Sequence, residues 1–325
     1  MQIKSTEARV TTDFKKEDWA KRAINHPAGR IAEFWLKCCD LQRRESGGLV
    51  PGFPDWLKEP LADMVGGVDL ASQLGRVTLG LHFPFVYHVD PAWAAAQVFP
   101  KFRFSVVGEE AFLMWEPHAS YGELSRELIL LMQPIYREAF THFHNVESRL
   151  QTGFFRHIAG MVYSCLFDVN EGNWFWDFLT GLTDDEKANW ARQVEWGLRG
   201  APEARRSQIW QRWMKNYWKD RLHGRPCRLL PKEAEEMLGW AFVVGAAFPE
   251  AVEFVVRSPH VQQRLGIVLH NLEKHEAPEK YPEAVLRLLD WLLEDRGSHW
   301  MVSKDIEAVL FRRKRHPEHH YRGVR

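Results

Sequence analysis

"WQRWMKNYWKDRLHGRP", Trp210–Pro226, sets three tryptophans and a tyrosine among five Arg or Lys residues. Such a stretch can be a base-stacking platform, a ligand cage or the inner face of a helix pair, and spacing separates these. Trp210, Met214 and Trp218 fall at i, i+4 and i+8, and Trp213 and Tyr217 form the neighbouring row. On a helix of 3.6 residues per turn the two rows merge into one broad apolar stripe. Arg212, Lys215, Lys219 and Asp220 are turned largely away from it. Stacking on bases needs rings exposed beside cations. A stripe separated from its cations instead packs on a partner helix. Arg221 and Arg225 lie where the helix ends, and cations there offset its dipole.

Outward from this stretch, helix signals recur and strand signals are scarce. Pro27 opens "HPAGRIAEFWLKCCDLQRR", in which Ile31, Phe34, Trp35 and Cys38 form an apolar stripe, and Gly47-Gly48 ends it. "FPDWLKEPLADMV" reads as a short helix closed by Gly66-Gly67. Asp69 and Asp90 each sit where a cap belongs. "YGELSRELILLMQPIYREAF" (Tyr121–Phe140) reads as one long helix, and another passes through Phe154, Phe155, Ile158 and Val162. Thr183 and Glu186 have capping-box spacing. Pro202 opens the helix that holds the quoted stretch, and Gly224 ends it. Pro231, Pro249, Pro259 and Pro282 stand near the starts of later segments, and Ser303 near a last one.

The pattern predicts an all-α fold: an irregular HEAT-like helical stack or a large helical bundle of roughly a dozen helices. The expected division is an N-terminal helical region, residues 1–171, a Trp-rich helical region, 172–311, and a basic tail, 312–325.

Formal net charge is zero, so no global field holds nucleic acid. Charge is uneven, however: Arg312–Arg325 carries five Arg and one Lys against one Glu. No apolar run approaches the roughly 20 residues of a membrane span. The four cysteines, Cys38, Cys39, Cys165 and Cys227, lack C-x-x-C spacing, and no secretory leader is evident. A reduced, cytoplasmic setting is the expectation.

Motifs for chemistry are missing. There is no phosphate-binding glycine loop, nucleophile elbow, H-E-x-x-H or E-x-K. His142 and His144 are two apart, about 200° on a helix, and cannot share an ion there. His316, His319 and His320 are interrupted by Pro317. Asp184, Asp185 and Glu186 fit a helix N-terminus. The residues predict no metal, no cofactor and no local catalytic site.

Two blocks resemble a known family. The first is "NHPAGRIAEFWL" (Asn25–Leu36) with "LGRVTLGLHFPFVYHVDPAW" (Leu74–Trp93). The second is the Trp213–Pro226 pattern with "EMLGW" (Glu236–Trp240) and "FPEAV" (Phe248–Val252). Together they are similar to the C-terminal helical region, a domain of unknown function, of sirtuin-like bacterial antiphage defence proteins. In that family an N-terminal sirtuin-like domain degrades NAD upon infection, and the helical part is thought to sense, autoinhibit or assemble. This chain shows no such catalytic domain. The resemblance therefore implies a non-enzymatic sensor or scaffold whose effector, of NADase, nuclease or ATPase type, sits on another chain.

The expected function is binding of that effector, or of a phage protein, through the helical surface. Trp196, Trp210, Trp218 and Arg221 are the expected contacts. One alternative is a nucleic-acid-binding subunit using Arg312, Arg313, Lys314 and Arg315, whose binding would be salt-sensitive. The other is an enzyme with a site assembled from residues distant in sequence.

Overall fold

The computed structural model describes residues 13–47, 52–122, 125–164, 173–260, 265–274 and 276–293, and among these there is no β-strand. The fold is all-α, as the periodicity predicts. The chain divides into two compact units between Gly181 and Leu182. Gly172, the expected boundary, lies outside the described residues, as do Cys165, Ser303 and the basic tail.

The first unit contains α1 (Trp19–Asn25), α2 (Pro27–Glu45), α3 (Asp55–Gly66), α4 (Leu70–Leu81), α5 (Phe83–Val89), α6 (Pro91–Trp93) and α7 (Phe104–Val107). It continues with α8 (Phe112–Tyr121), α9 (Arg126–Ala139), α10 (Ser148–Tyr163) and α11 (Trp174–Gly181). Caps set many of the starts. Asp18 accepts from the Lys21 amide at 2.9 Å, Asp69 from Ser72 at 2.9 Å and Asp90 from Trp93 at 3.0 Å. Each satisfies a donor that has no partner within its own helix.

α4 and α8 form the centre. α4 packs against α1, α2, α3 and α8, and α10 covers α8 from another side. Every residue of α8 from Phe112 to Ala119 is buried. A helix buried on every side, with its Glu116 and His118 hydrogen-bonded within, belongs inside a unit and not on its surface. Close approach to α8 requires small residues. A Cβ on Gly80 would stand 2.8 Å from the Met114 carbonyl oxygen, and one on Gly153 would run into the Ala119 carbonyl.

The predicted long helix at Tyr121–Phe140 is two elements. α8 stops at Tyr121, and Gly122 turns extended while its amide bonds the His118 carbonyl at 2.7 Å. α9 restarts at Arg126 because the Ser125 hydroxyl accepts from the Leu128 amide at 3.2 Å. A local side-chain cap here outweighs continuous helical periodicity.

The second unit contains α12 (Asp184–Arg199), α13 (Glu203–Ile209), α14 (Lys215–Leu222), α15 (Pro231–Ala241) and α16 (Phe248–Val255). It ends with α17 (Leu265–Lys274), α18 (Ala277–Lys280) and α19 (Pro282–Leu293). The capping box at Thr183 and Glu186 is formed in both directions. A π-helical turn at Trp210–Met214 joins α13 to α14. The aromatic stripe is buried as its spacing requires. Trp213, Tyr217 and Trp218 surround Trp240 of α15 at centroid distances of 6.0, 5.5 and 5.7 Å. The Trp240 indole also donates to the Ala191 carbonyl at 2.8 Å, which ties α15 to α12. No described helix is long and apolar enough to cross a membrane.

Candidate partner-binding surface

Three of the four expected contact residues are removed from any surface. Trp210 and Trp218 are 0 % exposed and Arg221 is 1 % exposed. Trp210 spends its indole N–H on Glu250 at 2.6 Å, and Trp218 donates to the Ser258 hydroxyl at 3.0 Å. Arg221 pairs with both carboxylate oxygens of Glu233, which also accepts from the Tyr217 hydroxyl at 2.9 Å. Its second nitrogen serves the Arg225 and Cys227 carbonyls, so the guanidinium holds the chain segment leaving α14. Burial opposes its charge, but Glu233 and Tyr217 more than offset this and raise its pKa. The physical error lay in reading Arg221 as a helix-end cation in solvent; its carboxylate stands twelve residues on, at the first turn of α15. Trp196, by contrast, is 58 % exposed. Its helix neighbours Arg192 and Arg199 are already paired with Glu236 and Glu195. The Arg312–Arg315 cluster lies outside the described residues.

The first unit hides a polar string that sequence reading missed. The Tyr136 hydroxyl bridges His118 Nε2 at 3.2 Å and His157 Nδ1 at 2.8 Å, and His157 Nε2 reaches the Gly122 carbonyl at 3.2 Å. All three side chains are buried. Burial drives both imidazoles to low pKa, reinforced at His118 by His157 and at His157 by Arg156, so that His157 falls to about 3. Burial likewise pushes the Tyr136 phenol well up. The string is neutral at physiological pH. It knits α8, α9 and α10 together, with no face open to a substrate. Nearby Glu116 accepts from the Ala20 amide at 2.8 Å, and burial raises its carboxyl to about 7. Among the described residues no group of three or more His, Cys, Asp or Glu is placed to hold a metal.

The open feature of this unit is a cleft of about 710 Å³ between α2, α3 and the start of α4. α2 explains it. Its core face is small: Ala28, Gly29, Ala32, Leu36 and Cys39 are buried. The row that reads as core in the sequence, Ile31, Phe34, Trp35 and Cys38, points elsewhere and is half-buried or exposed. Phe34 is 61 % exposed and Leu41, one heptad later, 58 %. α2 thus has two apolar faces, and among the described residues only one is covered.

Ile31 and Trp35 form one wall of the cleft, and Pro60 and Met64 of α3 the other. Trp56, one turn before Pro60 and 51 % exposed, extends the apolar surface along α3. Arg76 fixes the far end. It donates to the Val65 carbonyl at 3.2 Å and to that of Gly67, and it pairs with Glu110 at 3.4 Å. The end of α3 is therefore locked to α4. Burial lowers the Arg76 pKa, and Glu110 and Asp69 counter that. The cleft's charged lining is acidic only: Glu59, Asp63 and Asp69, with no Arg or Lys among the lining residues. Asp69 is occupied in capping α4. Glu59 and Asp63 are exposed, one helical turn apart, and among the described residues neither makes an ion pair.

Comparison with known proteins finds one family: the model for a domain of unknown function, DUF4020, matches residues 161–311. No curated protein matches. No solved structure matches. The blocks at Trp213–Pro226, Glu236–Trp240 and Phe248–Val252 fall inside the matched segment. Those at Asn25–Leu36 and Leu74–Trp93, and the α2–α3 cleft, precede it.

Proposed function

We propose that this chain is a non-enzymatic sensor or scaffold subunit of a bacterial antiphage defence system. It binds an effector or a phage protein through its helical surface. The observation that carries the binding role is the α2–α3 cleft, walled by Ile31, Trp35, Pro60 and Met64, on two helices that also expose Phe34, Leu41 and Trp56. Contiguous exposed apolar surface of this kind on a helical framework marks an interaction site. The resemblance of the aromatic blocks to sirtuin-like antiphage proteins supports the biological setting, and the DUF4020 match covers the second of those blocks. The buried His118–Tyr136–His157 string favours a structural over a catalytic use of the histidines.

The test is phage challenge of cells carrying this chain with its neighbouring genes. Trp35→Asp should abolish protection while the purified variant melts as the parent does. Unchanged protection, or turnover of NAD, nucleotides or nucleic acid by the isolated chain, would overturn the reading.

A further inference from the structure

We infer that the occupant of the α2–α3 cleft is an amphipathic helix with a Lys/Arg edge, seated so that this edge meets Glu59 and Asp63 of α3. The inference rests on the docking role proposed above and names its partner's chemistry. The walls come first. Both are helices, whose backbone amides and carbonyls are spent within the helix. They offer no open ladder to an extended strand, so main-chain pairing cannot hold the ligand. What they do offer is side-chain relief: Ile31 and Trp35 stand four apart on the α2 wall, and Pro60 and Met64 stand four apart on the α3 wall. An apolar helix face carrying residues at i, i+3, i+4 and i+7 interlocks with such a row.

Charge then selects among helices. The lining carries three carboxylates and no cation. The nearest lysine on α3, Lys58, is engaged by Asp55 at 3.1 Å. Of the four cations on α2, Lys37 pairs with Glu33 at 2.7 Å and Arg44 with Asp40 at 2.6 Å, and neither Arg30 nor Arg43 lines the cleft. Glu59 and Asp63 thus remain as two fixed anionic sites one turn apart. Lys or Arg at i and i+4 on one edge of the incoming helix matches that spacing. An acidic edge would meet like charge in a surface already losing water.

The experiment uses the full chain and two fluorescein-labelled helical peptides of about five turns. They share one Leu stripe and differ only in carrying Lys or Glu along one edge. Anisotropy should show the Lys peptide binding at least about tenfold tighter, with affinity falling as salt rises. Glu59→Lys/Asp63→Lys, at exposed positions that leave the fold intact by circular dichroism, should reverse the preference. Trp35→Ala should weaken both peptides. Equal binding of the two peptides, or preference for the Glu peptide, sinks the charge inference and leaves the docking role standing. Binding of neither sinks both. A dimer of this chain in light scattering, broken by Trp35→Asp, also overturns the inference, because the occupant would then be a second copy.

Discussion

Replacing Arg221 with methionine should cost about 3–5 kcal/mol of folding stability at pH 7. The side chains of Arg221 and Glu233 are 0 % and 1 % exposed, so the pair lies wholly out of water. The variant keeps most of the side-chain volume and removes all of the donors. Glu233 is left with the Tyr217 hydroxyl, and the Arg225 and Cys227 carbonyls lose their bonds to Arg221. An uncompensated buried carboxylate dominates that loss, and each carbonyl adds on the order of 1 kcal/mol where water cannot reach it. The double variant Arg221→Met/Glu233→Met should be less destabilised than Arg221→Met alone, since no charge is stranded. Urea melts followed by tryptophan fluorescence read this, because Trp213, Trp218 and Trp240 report on the same packing. A loss below about 1 kcal/mol, as for an exposed pair, would refute a buried Trp210–Pro226 seam.

Glu116 gives a second pH signature. Its folded pKa, raised to about 7 by burial, means that its contribution is fully present below the ordinary glutamate value and is lost as pH climbs through about 7. The full effect is on the order of 3 kcal/mol, and Glu116→Gln should flatten the stability profile between these limits in thermal melts. Trp218→Ala should cost about 3–5 kcal/mol, whereas Trp196→Ser should stay within about 0.5 kcal/mol; equal losses would mean their burial is misassigned. Gly153→Ala, whose methyl would run into the Ala119 carbonyl, should cost about 1–3 kcal/mol by pushing α10 from α8.

Helix periodicity and caps made the fold class readable before any coordinates. The aromatic rows around Trp213, the Asp69, Asp90 and Thr183 caps, and the prolines at α15, α16 and α19 all act as their positions predict. The site was not readable, for two physical reasons. On α2 bulk was mistaken for burial: Ile31, Phe34 and Trp35 are the larger residues, yet α1 and α4 pack on the small side, where a Cβ on Gly29 would run into the Ala23 carbonyl. An Ala-Gly-Ala face opposite a bulky row was the available signal. Arg221 failed differently, because its partner, Glu233, depends on how α14 and α15 pack. The same holds for Tyr136 between His118 and His157, whose separations of 18 and 21 residues leave no local trace.

The most direct test of the docking role is photo-crosslinking in the native host. A photoreactive amino acid replaces Phe34, exposed on α2 next in sequence to the cleft-lining Trp35, and in a control Trp196 on α12. The account predicts that Phe34 captures one distinct protein at a helical segment rich in Lys or Arg, and that Trp35→Asp removes the product. Capture of a second copy of this chain, or a product that survives Trp35→Asp, would contradict it.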